Sequence, residues 1–237
     1  MPRPENPFDA RYRALAQTAQ RVLDIGAGRG AGMKRVTPGS TLVIGSDVDR
    51  AIADNPTLDA AVLCSGERLG FANEVFDLCV MRWVVEHLAE PELAFWEACR
   101  VLKPGGRLLL LTSNLLFYAY AFAALLPNRW HPALVRVTSG RDDRDVFPTL
   151  YRANTRRRLD ATLRRAGFSR CRIWGFQDGP GYLRFSWPTL LLGAAYDKFV
   201  NLTRLFEPLR QGLIAEAEKR QTTVGPSITS NPSLRDA

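Results

Sequence analysis

The 237-residue chain is poor in lysine, histidine and cysteine, and it has no long apolar run. Four cysteines (Cys64, Cys79, Cys99 and Cys171) stand far apart with no C-x-x-C pair, and only two histidines accompany them. That spacing leaves no zinc site, no other metal site and no disulfide framework. The thiols read as small apolar side chains in a reducing compartment. No stretch reaches the ~18 uninterrupted apolar residues of a membrane span. Residues 1–7 hold three prolines, form a loose arm, and lack the apolar core of a signal peptide. The expectation is a cytoplasmic protein, at most peripheral to the inner face of a membrane.

What is present is ordinary globular material: 46% hydrophobic, 24% charged and 10% aromatic residues. This suffices for a full core and excludes wholesale disorder. The 18 glycines and 15 prolines follow no period, which excludes a collagen-like chain. Only four of the 32 basic residues are lysine, so arginine carries the +8 charge. Such a balance favours an anionic partner, whether nucleic acid, phosphorylated small molecule or membrane surface, but it also fits a base composition bias.

Short apolar runs at residues 21–25, 41–44, 60–64, 76–81, 107–112 and 170–176 read as strands, with 212–215 as a final edge strand. Helices are expected at 11–20, at 91–102 with Pro91 in its first turn, and from the Thr155 cap to Ala166, where Gly167 stops the chain. Residues 103–106, Lys-Pro-Gly-Gly, break the second helix from the leucine-rich fifth strand. Alternating strands and helices with continuously apolar strands imply parallel β-α-β units and a sheet covered on both faces. One domain is expected over residues 1–220. Its cofactor-binding half would be 20–114, with apolar, aromatic insertions at 115–152 and 179–208 and a disordered tail at 221–237.

The decisive stretch is Asp24-Ile25-Gly26-Ala27-Gly28-Arg29-Gly30. Three glycines spaced by one residue let backbone turn sharply and approach a ligand without Cβ atoms. An ordinary strand-to-helix turn needs one glycine. Gly26, Gly28 and Ala31 satisfy the G-x-G-x-x-A fingerprint of dinucleotide sites. Counting Asp24, the same residues satisfy D-x-G-x-G-x-G, whose carboxylate would repel a pyrophosphate and welcome a cation. The loop alone leaves both open.

Five stretches in order carry a resemblance: residues 22–30; the acidic strand end Gly45-Ser46-Asp47; residues 65–71; residues 76–80 with Val85-Glu86-His87-Leu88; and residues 100–108. Together they resemble the class I S-adenosylmethionine-dependent methyltransferases, the small-molecule branch related to ubiquinone and menaquinone methyltransferases. The resemblance implies an α/β fold, a Rossmann-like, doubly wound, mostly parallel seven-stranded sheet with helices on both faces. It implies S-adenosyl-L-methionine as cofactor. Asp24 would lie near the methionine ammonium, and Gly26, Ala27, Gly28 and Gly30 against the amino-acid and ribose portion. Asp47, with neighbouring Val48, would accept from both ribose hydroxyls, Asp49 being its rival. Ser65 stands where the family often has an acid contacting adenine, which weakens that contact, and Gly66 and Glu67 follow it. Met81 and Arg82 would border the methionine end, mostly through backbone. Residues 147–155 resemble a pattern in methyltransferases encoded with glycan and lipid assembly enzymes.

A methyltransferase of this kind would act on a small-molecule, lipid-linked or glycan acceptor by in-line displacement. His87 is the candidate base, since an imidazole suits proton removal near neutrality. The residue types fit better still a helix start where His87 and Glu86 satisfy backbone groups. His131 in the first insertion faces the acceptor or is simply exposed. Phe117, Tyr118, Tyr120, Phe122, Trp187, Tyr196, Phe199 and Phe206 would wall an apolar pocket, rest on a membrane, pair two subunits or cover the sheet. Arg152, Arg156, Arg157, Arg158, Arg164 and Arg165 form either a solvated basic face or a phosphate site. The alternatives are an RNA methyltransferase and a non-catalytic binding module that keeps the cofactor. Against the first, Met81-Arg82-Trp83-Val84 replaces an Asn-Pro-Pro-Tyr-type motif and no RNA-binding module is appended, so nucleic acid is the less favoured partner. A nicotinamide oxidoreductase is more distant still.

Overall fold

Leu108 and Leu110 bury in one apolar cluster, while Leu109 and Leu111 bury in another. That alternation follows from the two-residue period of a strand, and it means both faces of the strand are covered. The computed structural model, described for residues 6–30, 35–120, 148–177, 179 and 186–221, places this strand near the middle of a seven-stranded sheet. The strands are β1 (Arg21–Ile25), β2 (Leu42–Asp47), β3 (Ala60–Leu63), β4 (Phe76–Arg82), β5 (Leu102–Ser113), β6 (Phe168–Phe176) and β7 (Gly212–Lys219). Their order is β3-β2-β1-β4-β5-β7-β6. The first five pair in parallel, and β7 runs antiparallel to both β5 and β6.

The helices are α1 (Pro7–Ala16), α2 (Pro91–Val101), α3 (Arg156–Arg165) and α4 (Trp187–Leu202). Phe8, Tyr12, Leu15 and Ala16 of α1 close one face of the sheet. Ala94, Phe95 and Ala98 of α2, with Leu159 and Leu163 of α3, close the other. Truncating any one of the fully buried leucines to alanine would cost ~2–5 kcal/mol, because the cavity left behind only partly collapses. Thr155 caps α3 by accepting from the Arg158 amide, and Gly167 ends it with φ of 100°.

Three expectations need correction. The strand expected at the edge, residues 212–215, is an interior strand, hydrogen-bonded on both sides and buried over six residues. Its antiparallel insertion between β5 and β6 cannot be read from chain order. The first helix begins at Pro7, not at residue 11, because the Asn6 side chain accepts from the Phe8 amide and starts it. Strand β5 begins at Leu102, since the Lys-Pro-Gly-Gly stretch forms an irregularity within the strand where Phe76 pairs with Leu102. Residues 1–5, Ala31, Phe122, His131, Phe147 and the 222–237 tail lie outside the described residues. Among the described residues, no helix is long and apolar enough to cross a membrane.

Candidate functional site

Gly26, Gly28 and Gly30 have φ of 72°, 53° and 61°. All three occupy the left-handed region that only glycine enters at little cost, which is why three are needed. The loop is gripped from both sides. The amides of Gly26 and Ala27 donate to the Ser46 carbonyl at 2.7 and 3.2 Å. Asn55 Nδ2 donates to the carbonyls of Ala27 and Gly28, both at 3.0 Å. A Cβ at Gly26 would overlap the Val84 side chain, and one at Gly30 would overlap Asn55. At Gly28 a Cβ would meet nothing within 4 Å, so this face of the loop borders open space. Residues 35–41 are turn and coil, so no helix follows the loop among the described residues.

Two acids flank the loop. The Asp24 carboxylate is half-buried at the end of β1, and none of the described residues hydrogen-bonds to it. Loss of hydration pushes its pKa up to about 7, the Arg82 guanidinium pulls it back, and Asp47 raises it further. At the end of β2, Asp47 Oδ2 accepts from the Gly28 amide at 2.9 Å and Oδ1 from the Asp49 amide at 2.8 Å. Each oxygen keeps a second lone pair for another donor. Asp49 instead caps the short 3-10 helix Arg50–Asp54 by accepting from Ala51. Val48 is exposed beside them. After β3, Ser65 Oγ accepts from the Glu67 amide at 3.1 Å, and Glu67 Oε1 accepts from the Glu90 amide at 2.7 Å. A Cβ at Gly66 would press on Ile25 at 2.9 Å, so the Ser65-Gly66-Glu67 turn lies against the end of β1.

Beyond β4 the chain changes direction under strain. Met81 is fully buried, and the Arg82 guanidinium turns to α1, pairing with Asp9 at 2.5 Å and lying 4.7 Å over the Phe8 ring. Trp83 then takes φ of 58°, costly for a bulky side chain. The turn Val85–His87 follows. Glu86 is buried and accepts from Thr112 Oγ1 at 2.9 Å and Ser113 Oγ at 2.8 Å. Its carbonyl accepts from the amides of Leu150 and Tyr151. His87 Nδ1 lies 2.9 Å from the Pro148 carbonyl. A carbonyl only accepts, so Nδ1 carries the proton and Nε2 is the ring's acceptor nitrogen in the neutral form. Asn154, fully buried, donates to Thr112 Oγ1 and the Ser113 carbonyl.

The aromatic residues divide. Phe117, Tyr120 and Tyr151 bury together, with Tyr118 and Tyr196 against them; the Tyr118 and Tyr196 centroids are 4.9 Å apart. This cluster lies past the end of β5, where Tyr196 Oη donates to the Leu209 carbonyl. Phe199 and Phe206 stack at 4.1 Å. Helix α4 does not cover the sheet: only Gly193 and Val200 bury, while Trp187 is 77% exposed.

The structure thus gathers Asp24, Gly26, Gly28, Gly30 and Asp47 around one loop, with Met81 and Arg82 at the end of the adjoining strand. His87 sits on a separate turn tied to residues 148–151. Asn55 and the Glu86–Thr112–Ser113–Asn154 network were not anticipated. The only signal for Asn55 is an Asp-Asn-Pro-Thr stretch, which a single sequence does not distinguish from an ordinary turn.

Residues 23–110 match the family described as a methyltransferase domain. A ubiquinone biosynthesis O-methyltransferase of Rhizobium etli is 33% identical over 124 residues, covering 47% of this chain and 50% of that protein. A ubiquinone/menaquinone biosynthesis C-methyltransferase of Bordetella parapertussis is 33% identical over 113 residues, 42% of this chain and 43% of the relative. The chain spans about half the length of the curated relatives it matches, or less. Among solved structures, an S-adenosylmethionine-dependent methyltransferase from Thermotoga maritima aligns with a TM-score of 0.54 at 16% identity, covering 90% of this chain and 91% of that one. A phosphoethanolamine N-methyltransferase of Haemonchus contortus in complex with S-adenosyl-L-methionine gives 0.53 at 16% identity, covering 90% and 52%. These two are likenesses of fold. With the matched stretch, the sheet and the glycine loop in agreement, residues 23–110 are similar to a methyltransferase domain and to ubiquinone and menaquinone methyltransferases, on a fold shared with S-adenosylmethionine-dependent methyltransferases.

Proposed function

We propose that the protein transfers a methyl group from S-adenosylmethionine to a small-molecule, lipid-linked or glycan acceptor. The observation that carries this reading is a half-buried carboxylate, Asp24, to which no described residue hydrogen-bonds, beside a three-glycine loop whose Gly28 faces open space. A partly desolvated carboxylate without a hydrogen-bonding partner is costly unless a cation arrives, and the methionine ammonium is such a cation. The residues present therefore fit the cofactor.

When bound, S-adenosylmethionine supplies a methyl on a sulfonium sulfur, open to in-line displacement by an acceptor nucleophile. Asp24 holds the ammonium end and the glycine loop lets backbone approach it. Asp47 accepts from the ribose hydroxyls with the lone pairs that the Gly28 and Asp49 amides leave over. Ser65, Gly66 and Glu67 border the adenine, Val48 lies beside the ribose, and Met81 and Arg82 close the methionine end, with Arg82 acting through its backbone because its side chain is committed to Asp9. His87, with Nδ1 engaged by the Pro148 carbonyl, presents Nε2 as the base for an acceptor hydroxyl. The aromatic cluster past β5 supports an acceptor with an apolar portion.

Incubation of the protein with methyl-labelled cofactor and fractionated lipid, glycan and RNA extracts tests this reading. Label in a lipid or glycan fraction is expected. Label confined to RNA, or cofactor binding with no label in any fraction, would contradict it.

A further inference from the structure

Away from the glycine loop, a cleft of about 460 Å3 is lined by Arg152, Arg157, Arg158 and Arg165, with Thr155 and Thr162 between them. The arginines are exposed, and their counter-charges are few. Arg165 reaches Glu92 at 3.6 Å, and Arg152 donates to a backbone carbonyl, that of Ala89, at 2.6 Å. No carboxylate pairs with Arg157 or Arg158 among the described residues. The neighbouring Arg164 and Arg156, outside the cleft, have Asp160 and Glu207.

This arrangement runs against local electrostatics. Arg156, Arg157 and Arg158 fill the first turn of α3, which holds no acid. That is where the helix dipole disfavours cations. A sequence optimised for stability alone would place acids there, and such broken rules concentrate where a ligand supplies the missing charge. Planar guanidinium forks suit phosphate oxygens, which accept paired hydrogen bonds.

The wall of the cleft is also fastened to the candidate base. Arg152 bonds Ala89, two residues beyond His87; Pro148 accepts from His87; and the Leu150 and Tyr151 amides donate to Glu86. We propose that this cleft binds a phosphate or diphosphate group carried by the methyl acceptor, an inference that rests on the methyltransferase reading above. The acceptor is then an anionic, phosphorylated molecule, anchored by arginine at one end and presented to the His87 turn at the other.

Calorimetric titration of the full chain with inorganic pyrophosphate tests the cleft, alongside flotation with phosphatidylglycerol and phosphatidylcholine vesicles. Pyrophosphate is expected to bind, and R157Q/R158Q to weaken it about tenfold or more, since each lost charged hydrogen bond is worth about that factor. R156Q/R164Q, which removes the same charge from two arginines outside the cleft, is expected to leave binding unchanged. R157Q/R158Q is expected to melt no lower than the parent, because it removes two cations from the end of the helix where the dipole disfavours them, so misfolding does not mask the result. Absence of pyrophosphate binding, or binding equal in parent and R157Q/R158Q, would overturn the proposal. So would variant-sensitive binding to phosphatidylglycerol vesicles without pyrophosphate binding, which would assign the cleft to a membrane surface. Adenosylhomocysteine binding on the same samples reads the methyltransferase assignment separately. Its failure would remove the acceptor from the proposal, whereas failure of pyrophosphate removes the cleft alone.

Discussion

Asn55 Nδ2 donates to the Gly28 carbonyl at 3.0 Å across 27 residues of sequence, and the Gly28 amide donates to Asp47. The backbone on both sides of Gly28 is thus held between the end of β2 and the turn that follows it. The loop is set in its left-handed shape before any ligand arrives, so ordering it costs little on binding.

Asn55→Ala removes both donors to the loop and leaves the Ala27 and Gly28 carbonyls short of a partner. A loss of ~1–3 kcal/mol in stability is expected, with weaker adenosylhomocysteine binding. Thermal melting and calorimetry measure the two. An unchanged affinity would mean that the loop keeps its shape without Asn55.

Gly26→Ala puts a methyl into Val84 and a side chain at φ of 72°, and it is expected to destabilise the fold. Adding Val84→Ala should recover the overlap but not the backbone strain, so the double-mutant cycle should show partial rescue. Full additivity would remove the Gly26–Val84 contact from the account. Gly28→Ala meets no protein atom and should instead weaken the cofactor more than it weakens the fold.

Asp24 gives the site a pH dependence. Its folded pKa is raised from 3.8 to about 7, so between these values the folded state holds a proton that the unfolded chain has released. Ligand-free stability should therefore fall as pH rises from about 4 to about 7 and level off above, by on the order of 4 kcal/mol for this group. Asp24→Asn should abolish that slope. Adenosylhomocysteine affinity should rise over pH 5.5–7.5 in the parent, since only the ionised carboxylate attracts an ammonium, and stay flat and weaker in the variant. A parent affinity independent of pH would place the ammonium elsewhere.

His87→Ala should lower turnover while leaving cofactor affinity alone, if Nε2 takes the acceptor proton. A loss of ~10²–10⁴-fold in kcat is expected for a lost base. Full activity in the variant would return His87 to fixing residues 148–151.

The legible parts of this fold are those whose signals are local. Apolar runs ending in glycine gave β1 and its loop, and Thr155 with Gly167 bounded α3, because caps and left-handed turns depend on residues a few positions apart. The place of β7 was misjudged, since insertion between β5 and β6 is decided by pairing partners far away in sequence. Residues 103–106 carry every mark of a break, yet Phe76 pairing with Leu102 carries the strand through them. In the site, Asp24 stood out by its spacing from the glycines, and Asp47 as the acidic strand end that the family resemblance singled out. Asn55 and Glu86 did not, because their roles come from contacts across strands and turns that no periodicity records.

The most direct test is calorimetric titration of adenosylhomocysteine into the parent and Asp47→Ala. Saturable one-site binding is predicted for the parent, weakened by ~1–3 kcal/mol in the variant through lost ribose hydrogen bonds. No binding by the parent, or the same affinity in both proteins, would contradict the assignment of this loop to the cofactor.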